Sequence, residues 1–310
     1  MTTYNNRLLF FILIGLIGIF VLAKLFRAPK REGNLKFSLI QVDTASVSEI
    51  RLYPASGQRE EIRLQRQGGK WLVKNNTMQS EADNGSANSL LHSIVHIQAE
   101  RIMSRSKDKW DTYQVGDTTG TRVLVFAGGD QPVAEWWIGE APSQGGVSGG
   151  GLSYVRLPGD SEVYAVGGYL NPQFDKAFND WRNKTFLRLT KEQISSIHAT
   201  GAAGFSLEKR DAVWTVDGQK ADSTLVTRYL NKIYSKNLND FADNFTASSD
   251  PDAALTISMD NGKATVSAWK QDSTWVVSSS QRPGVFFRVR DHVLKEEIWA
   301  DPKDLVAKEP

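Results

Sequence analysis

Two histidines, His92 and His96, stand four residues apart in the run SLLHSIVHI. On a helix that spacing puts both imidazoles on one face, as a zinc pair requires. No glutamate stands beside the first histidine, and the chain has no cysteine. A later stretch matching this helix carries Asn231 and Ser235 at the same places, so the face reads as polar and solvent-facing. The remaining histidines, His198 and His292, have no nucleophile elbow near them. The run SQGGVSGGGLSYVR holds Gly145, Gly146, Gly149, Gly150 and Gly151. A phosphate cradle needs a helix directly after the glycines and usually a lysine; here a strand-like run follows, so the glycines read as a hairpin loop. Arg156 in YVRL and Arg288 in FFRV suit either a bidentate carboxylate pair or an anionic ligand, with the structural pair favoured. No catalytic, cofactor-binding or metal-ligating residue is assigned. The chain is expected not to be an enzyme and to use no cofactor.

Aromatic residues offer a different chemistry. Trp71 and Trp214 sit inside alternating apolar patterns and read as core. Trp136 and Trp137 are adjacent, and neighbouring strand residues point to opposite faces. Trp137 is read as the core member, matching Trp269, while Trp136 faces Ala268 in the same match. A partner-binding surface is therefore placed at Trp136, Ile138 and the loop glycines Gly145, Gly146, Gly149, Gly150 and Gly151. Tryptophan is enriched where protein surfaces meet. Packing of Trp136 beneath a linker is the competing reading.

These residues sit in a chain of 310 residues with 37 Lys+Arg against 35 Asp+Glu. That length suits about two domains, and the near-neutral balance disfavours a nucleic-acid binder. Residues 8–23, LLFFILIGLIGIFVLA, carry no charge. Extended to residue 26, the stretch spans about 28 Å as a helix, close to the hydrocarbon core of a bilayer. Lys24 can extend its ammonium to the headgroups. Val21 and Ala23 would suit signal-peptide cleavage, but the apolar run is long for that role, and an uncleaved anchor is favoured. Lys24, Arg27, Lys30 and Arg31 follow the span and only Arg7 precedes it, which favours a cytoplasmic bulk. The long chain after the span and the absence of cysteine favour export. The expectation is a single-pass protein of the inner (cytoplasmic) membrane with its bulk periplasmic.

The chain also matches itself. Leu64, Trp71 and Val73 correspond to Leu207, Trp214 and Val216 at an offset of 143. Ala82, Asp83, Leu91 and Ile94 correspond to Ala221, Asp222, Leu230 and Ile233 at 139. Val47 and Ile50 correspond to Ile194 and Ile197 at 147. Val123, Val125, Trp137, Tyr154 and Arg156 correspond to Leu255, Ile257, Trp269, Phe286 and Arg288 at 132. Each unit reads as strands, a helix capped by Asp83 or Asp222, then strands. Ser56-Gly57 and Gly68-Gly69 mark hairpins. The predicted class is α+β: a transmembrane helix, then two similar β-rich repeats. The predicted organisation is a tail (1–7), an anchor (8–26), a basic tether (27–36), a first repeat (37–180), a connector (181–193) and a second repeat (194–310), with the run FDKAFNDWRNKTFLRLTKEQISSI around the connector read as helical and broken near Asn183.

The segments FSLIQVDTASVSEIRL, KWLVKN, EADNGSANSLLHSI, WWIGEAP, SYVRL, EVYAV and DWRNKTFLRLTKEQISSI together resemble a bacterial domain-of-unknown-function family, number 4340. The resemblance covers residues 37–240 and includes Ile138-Gly139 and Trp181-Arg182. It implies a membrane-anchored extracytoplasmic protein, often encoded beside an ABC transporter of the gliding-motility type. No catalytic residues carry over. The expected function is an accessory or scaffold for such a transport complex, with the bilayer and transporter subunits as partners. The alternative is an envelope ligand-binding protein or hydrolase.

Overall fold

The computed structural model describes residues 38–140, 151–201, 204–247 and 250–307. The predicted anchor 8–26, the tether 27–36, and Gly145, Gly146, Gly149 and Gly150 lie outside the described residues. Among the described residues, no helix is long and apolar enough to cross a membrane. Nineteen strands and a few short helices make up the described chain, which is the β-rich α+β class expected. It divides into two units, residues 38–66 with Asn88–Lys176, and Gln67–Ala87 with residues 177–307. Each unit is thus assembled from two separate stretches of the chain.

In the first unit, β1 (Glu49–Tyr53) and β2 (Ile62–Gln67) alternate buried and half-exposed residues, as their apolar–polar pattern demands. They join β5 (Ala99–Ser104), β6 (Thr121–Phe126), β7 (Ala134–Glu140), β8 (Leu152–Arg156) and β9 (Val163–Gly167) in the order β2-β1-β6-β7-β8-β9-β5. All five residues of β8 are buried, so this part of the sheet is covered on both faces. On one face Trp137 joins a cluster with Val115, Leu152, Tyr154, Val163 and Ala165, against which Trp110 and Tyr113 pack. On the other, Trp136 meets Phe174 of the short helix α2 (Asn171–Phe174) edge-to-face at 6.1 Å. Both indoles are inside: Trp136 is 0 % exposed and Trp137 7 %. The expected surface at Trp136 and Ile138 is thus corrected, for Ile138 is 1 % exposed. Adjacent strand residues do point oppositely; here both directions lead into packed layers. Gly139 shows how tight one layer is, since a Cβ there would lie 2.0 Å from the Tyr113 carbonyl oxygen.

In the second unit, β3 (Lys70–Lys74) and β4 (Gln79–Glu81) form a hairpin. Its end is tied to residues 181–183: Asp83 N–H donates to the Trp181 carbonyl and Asn183 N–H to the Glu81 carbonyl. The connector departs from its predicted helix. Its helical parts are α3 (Phe178–Trp181) and a 3₁₀ turn at Lys191–Gln193, and between them β10 (Thr185–Arg188) pairs with β15 (Ser235–Asn237). The Asn183 side chain accepts from Thr185 N–H, and Phe186 and Leu187 are both buried, which an extended chain between two layers permits. The main sheet follows the order β14 (Gln219–Lys220), β13 (Val213–Val216), β12 (Phe205–Arg210), β11 (Ile194–Thr200), β16 (Ala253–Met259), β17 (Gly262–Gln271), β18 (Thr274–Ser279), β19 (Phe286–Arg290). Against it packs α4 (Ser223–Ile233), burying Val226, Tyr229, Leu230 and Ile233 at helical spacing. Asp222 caps α4 by accepting from Thr224 and Leu225 N–H. Asp83 does the same for α1 (Asn84–Val95), accepting from Ser86 N–H at 2.6 Å.

The two units share a hydrogen-bonding order, β2-β1-β6-β7-β8-β9 in one and β12-β11-β16-β17-β18-β19 in the other. Ile50 pairs with Leu64 and Val125, and Ile197 pairs with Leu207 and Ile257. Ala82 N–H donates to the Trp71 carbonyl, and Ala221 N–H to the Trp214 carbonyl, each at 2.9 Å. Two expected matches shift. Arg122 pairs with Trp137, whereas Ala254, at the place of Arg122, pairs with Ser267. Trp269 therefore lies two residues out of register with Trp137, on the same face. Arg156 lies on β8 and Arg288 on β19, so these arginines do not correspond; Ser278 takes the place of Arg156. A period of two fixes the face of a residue but leaves even-numbered slips unmarked.

Candidate functional site

The first unit carries a row of four residues across four strands. Tyr53 of β1 faces Arg122 of β6, Arg122 faces Trp137 of β7, and Trp137 faces Arg156 of β8. Directly opposed residues on one face are close enough to stack. The Arg122 guanidinium carbon lies 5.7 Å from the Tyr53 ring centroid and 5.4 Å from that of Trp137. That of Arg156 lies 3.7 Å from Trp137 and 4.0 Å from Trp110. Cation and aromatic ring thus alternate, and each holds its neighbour in place. Arg156 is 3 % exposed and donates from Nε to the Val115 carbonyl at 2.7 Å and from Nη2 to Asp117 at 2.5 Å. Arg122 is paired with Glu135. The Tyr53 hydroxyl donates to Glu61, which also receives Arg63. Burial, with this Glu61 contact, pushes the Tyr53 phenol up to about 12.

Above the row lies a cleft of about 450 Å³ lined by Tyr53, Arg59, Asp117, Arg122, Trp137 and Arg156, with Pro158 and Gly159 at its edge. Arg59 belongs to the loop between β1 and β2. The sequence points to Ser56-Gly57 for this turn, but the left-handed positions are Gln58 (φ 53°) and Arg59 (φ 60°). A non-glycine residue is uncommon in that conformation. Arg59 Nη1 is buried with no hydrogen-bond partner, and so is Trp137 Nε1. Burial lowers the Arg59 pKa, the charge of Arg122 lowers it further, and Asp117 opposes both.

A second arginine centre lies within the other unit. Arg182 is 4 % exposed, grips Asp243 through two bonds of 2.7 Å, and lies 3.5 Å from the Phe241 centroid. Arg282 donates to the carbonyls of Asn183 and Thr185 and lies 3.5 Å from Glu81. Burial lowers its pKa, with Glu81 opposing. These groups pin the hairpin and the connector together and are matched in charge, so this centre reads as structural.

The remaining candidates fall where their chemistry is idle. His92 and His96 are exposed, with rings stacked at 4.3 Å, and His96 Nδ1 lies 2.7 Å from the His92 carbonyl. His198 and His292 are exposed on separate elements. Among the described residues no cluster of three His, Cys, Asp or Glu could hold a metal. Arg288 meets Asp240 at 3.4 Å in an exposed pair, as the structural reading expected. Gly151 has φ 69°, and a Cβ there would lie 2.3 Å from the Tyr169 ring. Trp71 and Trp214 are buried. Sequence reasoning missed Arg59, Arg122, Asp117 and Trp110: cross-strand register brings Arg122 to Trp137, and the other three reach the row from segments outside the strands, which no periodicity announces.

Fold and site together define a β-rich α+β protein whose first unit carries a polar cleft lined by stacked guanidiniums. The chain belongs to the family described as Domain of unknown function (DUF4340), which matches residues 75–257, more than half of its length. No curated protein and no solved structure matches it.

Proposed function

We propose that this chain is a membrane-tethered accessory protein that holds its two units outside the cytoplasm and presents them to an ABC-type transport complex, without catalysis. The observation that carries the reading is the uncharged run at residues 8–23, followed at once by a short basic tether and then by a long β-rich chain. The basic flank favours the opposite orientation; long folded chains translocate largely regardless of such charges. An alkaline phosphatase fused after Pro310 should be active in intact cells. A fluorescent reporter maturing there, with phosphatase inactive, would contradict the orientation.

A second reading, an envelope ligand-binding protein, is favoured by the cleft over the arginine–aromatic row. Guanidiniums locked by stacking suit recognition of an acceptor-bearing ligand. We also propose that the two units arose by duplication. The shared strand order and the paired Ala82–Trp71 and Ala221–Trp214 bonds support it. An experimental structure in which Ile50, Leu64 and Val125 fail to superpose on Ile197, Leu207 and Ile257 would contradict it.

A further inference from the structure

Three guanidiniums line the cleft of the first unit, and their compensation is uneven. Arg122 has Glu135 and Arg156 has Asp117. Arg59 has no salt-bridge partner among the described residues, and its Nη1 is buried without an acceptor. Trp137, 7 % exposed and lining the same cleft, keeps an indole N–H without an acceptor. Two buried donors that lack acceptors are costly to a fold unless something from outside satisfies them. Water could satisfy the hydrogen bonds but would leave the extra positive charge.

The acceptor nearest to hand is informative. Asp117 contacts Arg156, and its charge is felt by Arg59, yet its side chain is 72 % exposed. It is a largely exposed carboxylate among the donors that line the cleft, a placeholder that an incoming anion can displace. The row beneath has no counterpart in the second unit. In the second unit the same hydrogen-bond register carries Thr200, Ala254, Ser267 and Ser278, all small and uncharged. Tyr53, Arg122, Trp137 and Arg156 are therefore particular to the first unit.

We infer that this cleft binds a phosphate-type oxyanion, held by Arg59 and Arg156 with the Trp137 indole N–H as a further donor, Asp117 standing in its place when the cleft is empty. A phosphate dianion brings more charge than the single carboxylate of Asp117 and matches the forked geometry of guanidinium donors. The inference deepens the ligand-binding reading and is independent of any transport partner and of the orientation.

The test uses the full chain in a neutral detergent, titrated with inorganic phosphate by calorimetry at low ionic strength. Saturable binding is expected. Arg59→Gln should weaken it at least about tenfold, with near-ultraviolet circular dichroism unchanged, because the buried Arg59 Nη1 makes no hydrogen bond among the described residues that the fold would lose. Asp117→Asn should tighten it several-fold by removing the competing carboxylate. No saturable heat with the unaltered chain, equal binding by Arg59→Gln, or weaker binding by Asp117→Asn would each overturn the proposal. If Arg59→Gln fails to fold, the direction of the Asp117→Asn change decides. Mixed micelles of phosphatidylglycerol that abolish the phosphate heat, where phosphatidylcholine micelles do not, identify lipid headgroups as the source of the oxyanion. Retained heat in both identifies a soluble phosphate.

Discussion

Arg182 shows how a single side chain organises its surroundings. It is almost wholly buried, so its charge is tolerable only while Asp243 grips it and Phe241 covers its face. Removing the carboxylate while keeping the cation should be expensive. Asp243→Ala is expected to destabilise the second unit by about 3–5 kcal/mol in urea unfolding. Replacing Arg182 by Met in the same chain should recover much of that loss; a single-variant loss below about 1 kcal/mol would show that the pair is not integral. No pattern in the sequence joins these residues, which lie 61 positions apart. Trp181-Arg182 stands out in the sequence only as part of the family resemblance, and its meaning appears once Asp243 is placed. The caps were legible at this scale, since an aspartate before a helical period has few other uses. Arg156 was legible as a strand arginine with a carboxylate partner, but its apparent twin Arg288 was not its counterpart.

Among the elements, β7 carries the most information. Its sequence AEWWIGE has no polar face, a property of a strand covered on both sides. Reading Trp136 as a surface residue assumed one covered face, the usual condition of an antiparallel sheet. The backbone near Tyr113 and the Phe174 side chain supply the two covers, and both come from irregular or very short segments whose positions no periodicity announces. Gly139 gives the direct check. Gly139→Ala should cost about 1–3 kcal/mol by overpacking against the Tyr113 carbonyl. Gly129→Ala, where nothing lies within 4 Å of the added Cβ, should be nearly neutral in the same thermal melts. Equal losses would mean that the close layer is not maintained in solution. The strands themselves were legible from alternation, as in β1 and β16. The connector was not: its apolar residues fit a helix and a strand about equally, and β10 formed because β15 offered an edge.

At the scale of the whole molecule, the sequence pattern speaks of a tether and two related β-rich units, while the described residues speak of what those units contain. One holds an arginine–aromatic row under an open cleft; the other holds small residues at the same register and a charge-matched arginine centre. Family membership places the chain among proteins of one kind without assigning them a task. The accessory reading joins these parts by giving the tether a place and the cleft a reason to be outside the core. Its central claim is association with a membrane transport complex. The full chain, carrying an affinity tag after Pro310, is recovered from gently solubilised membranes of its own cells after mild cross-linking, and its companions are identified by mass spectrometry. The account predicts that ATP-binding-cassette transporter subunits are recovered in near-stoichiometric amounts; recovery of the chain alone, or with no membrane transport component, would contradict it.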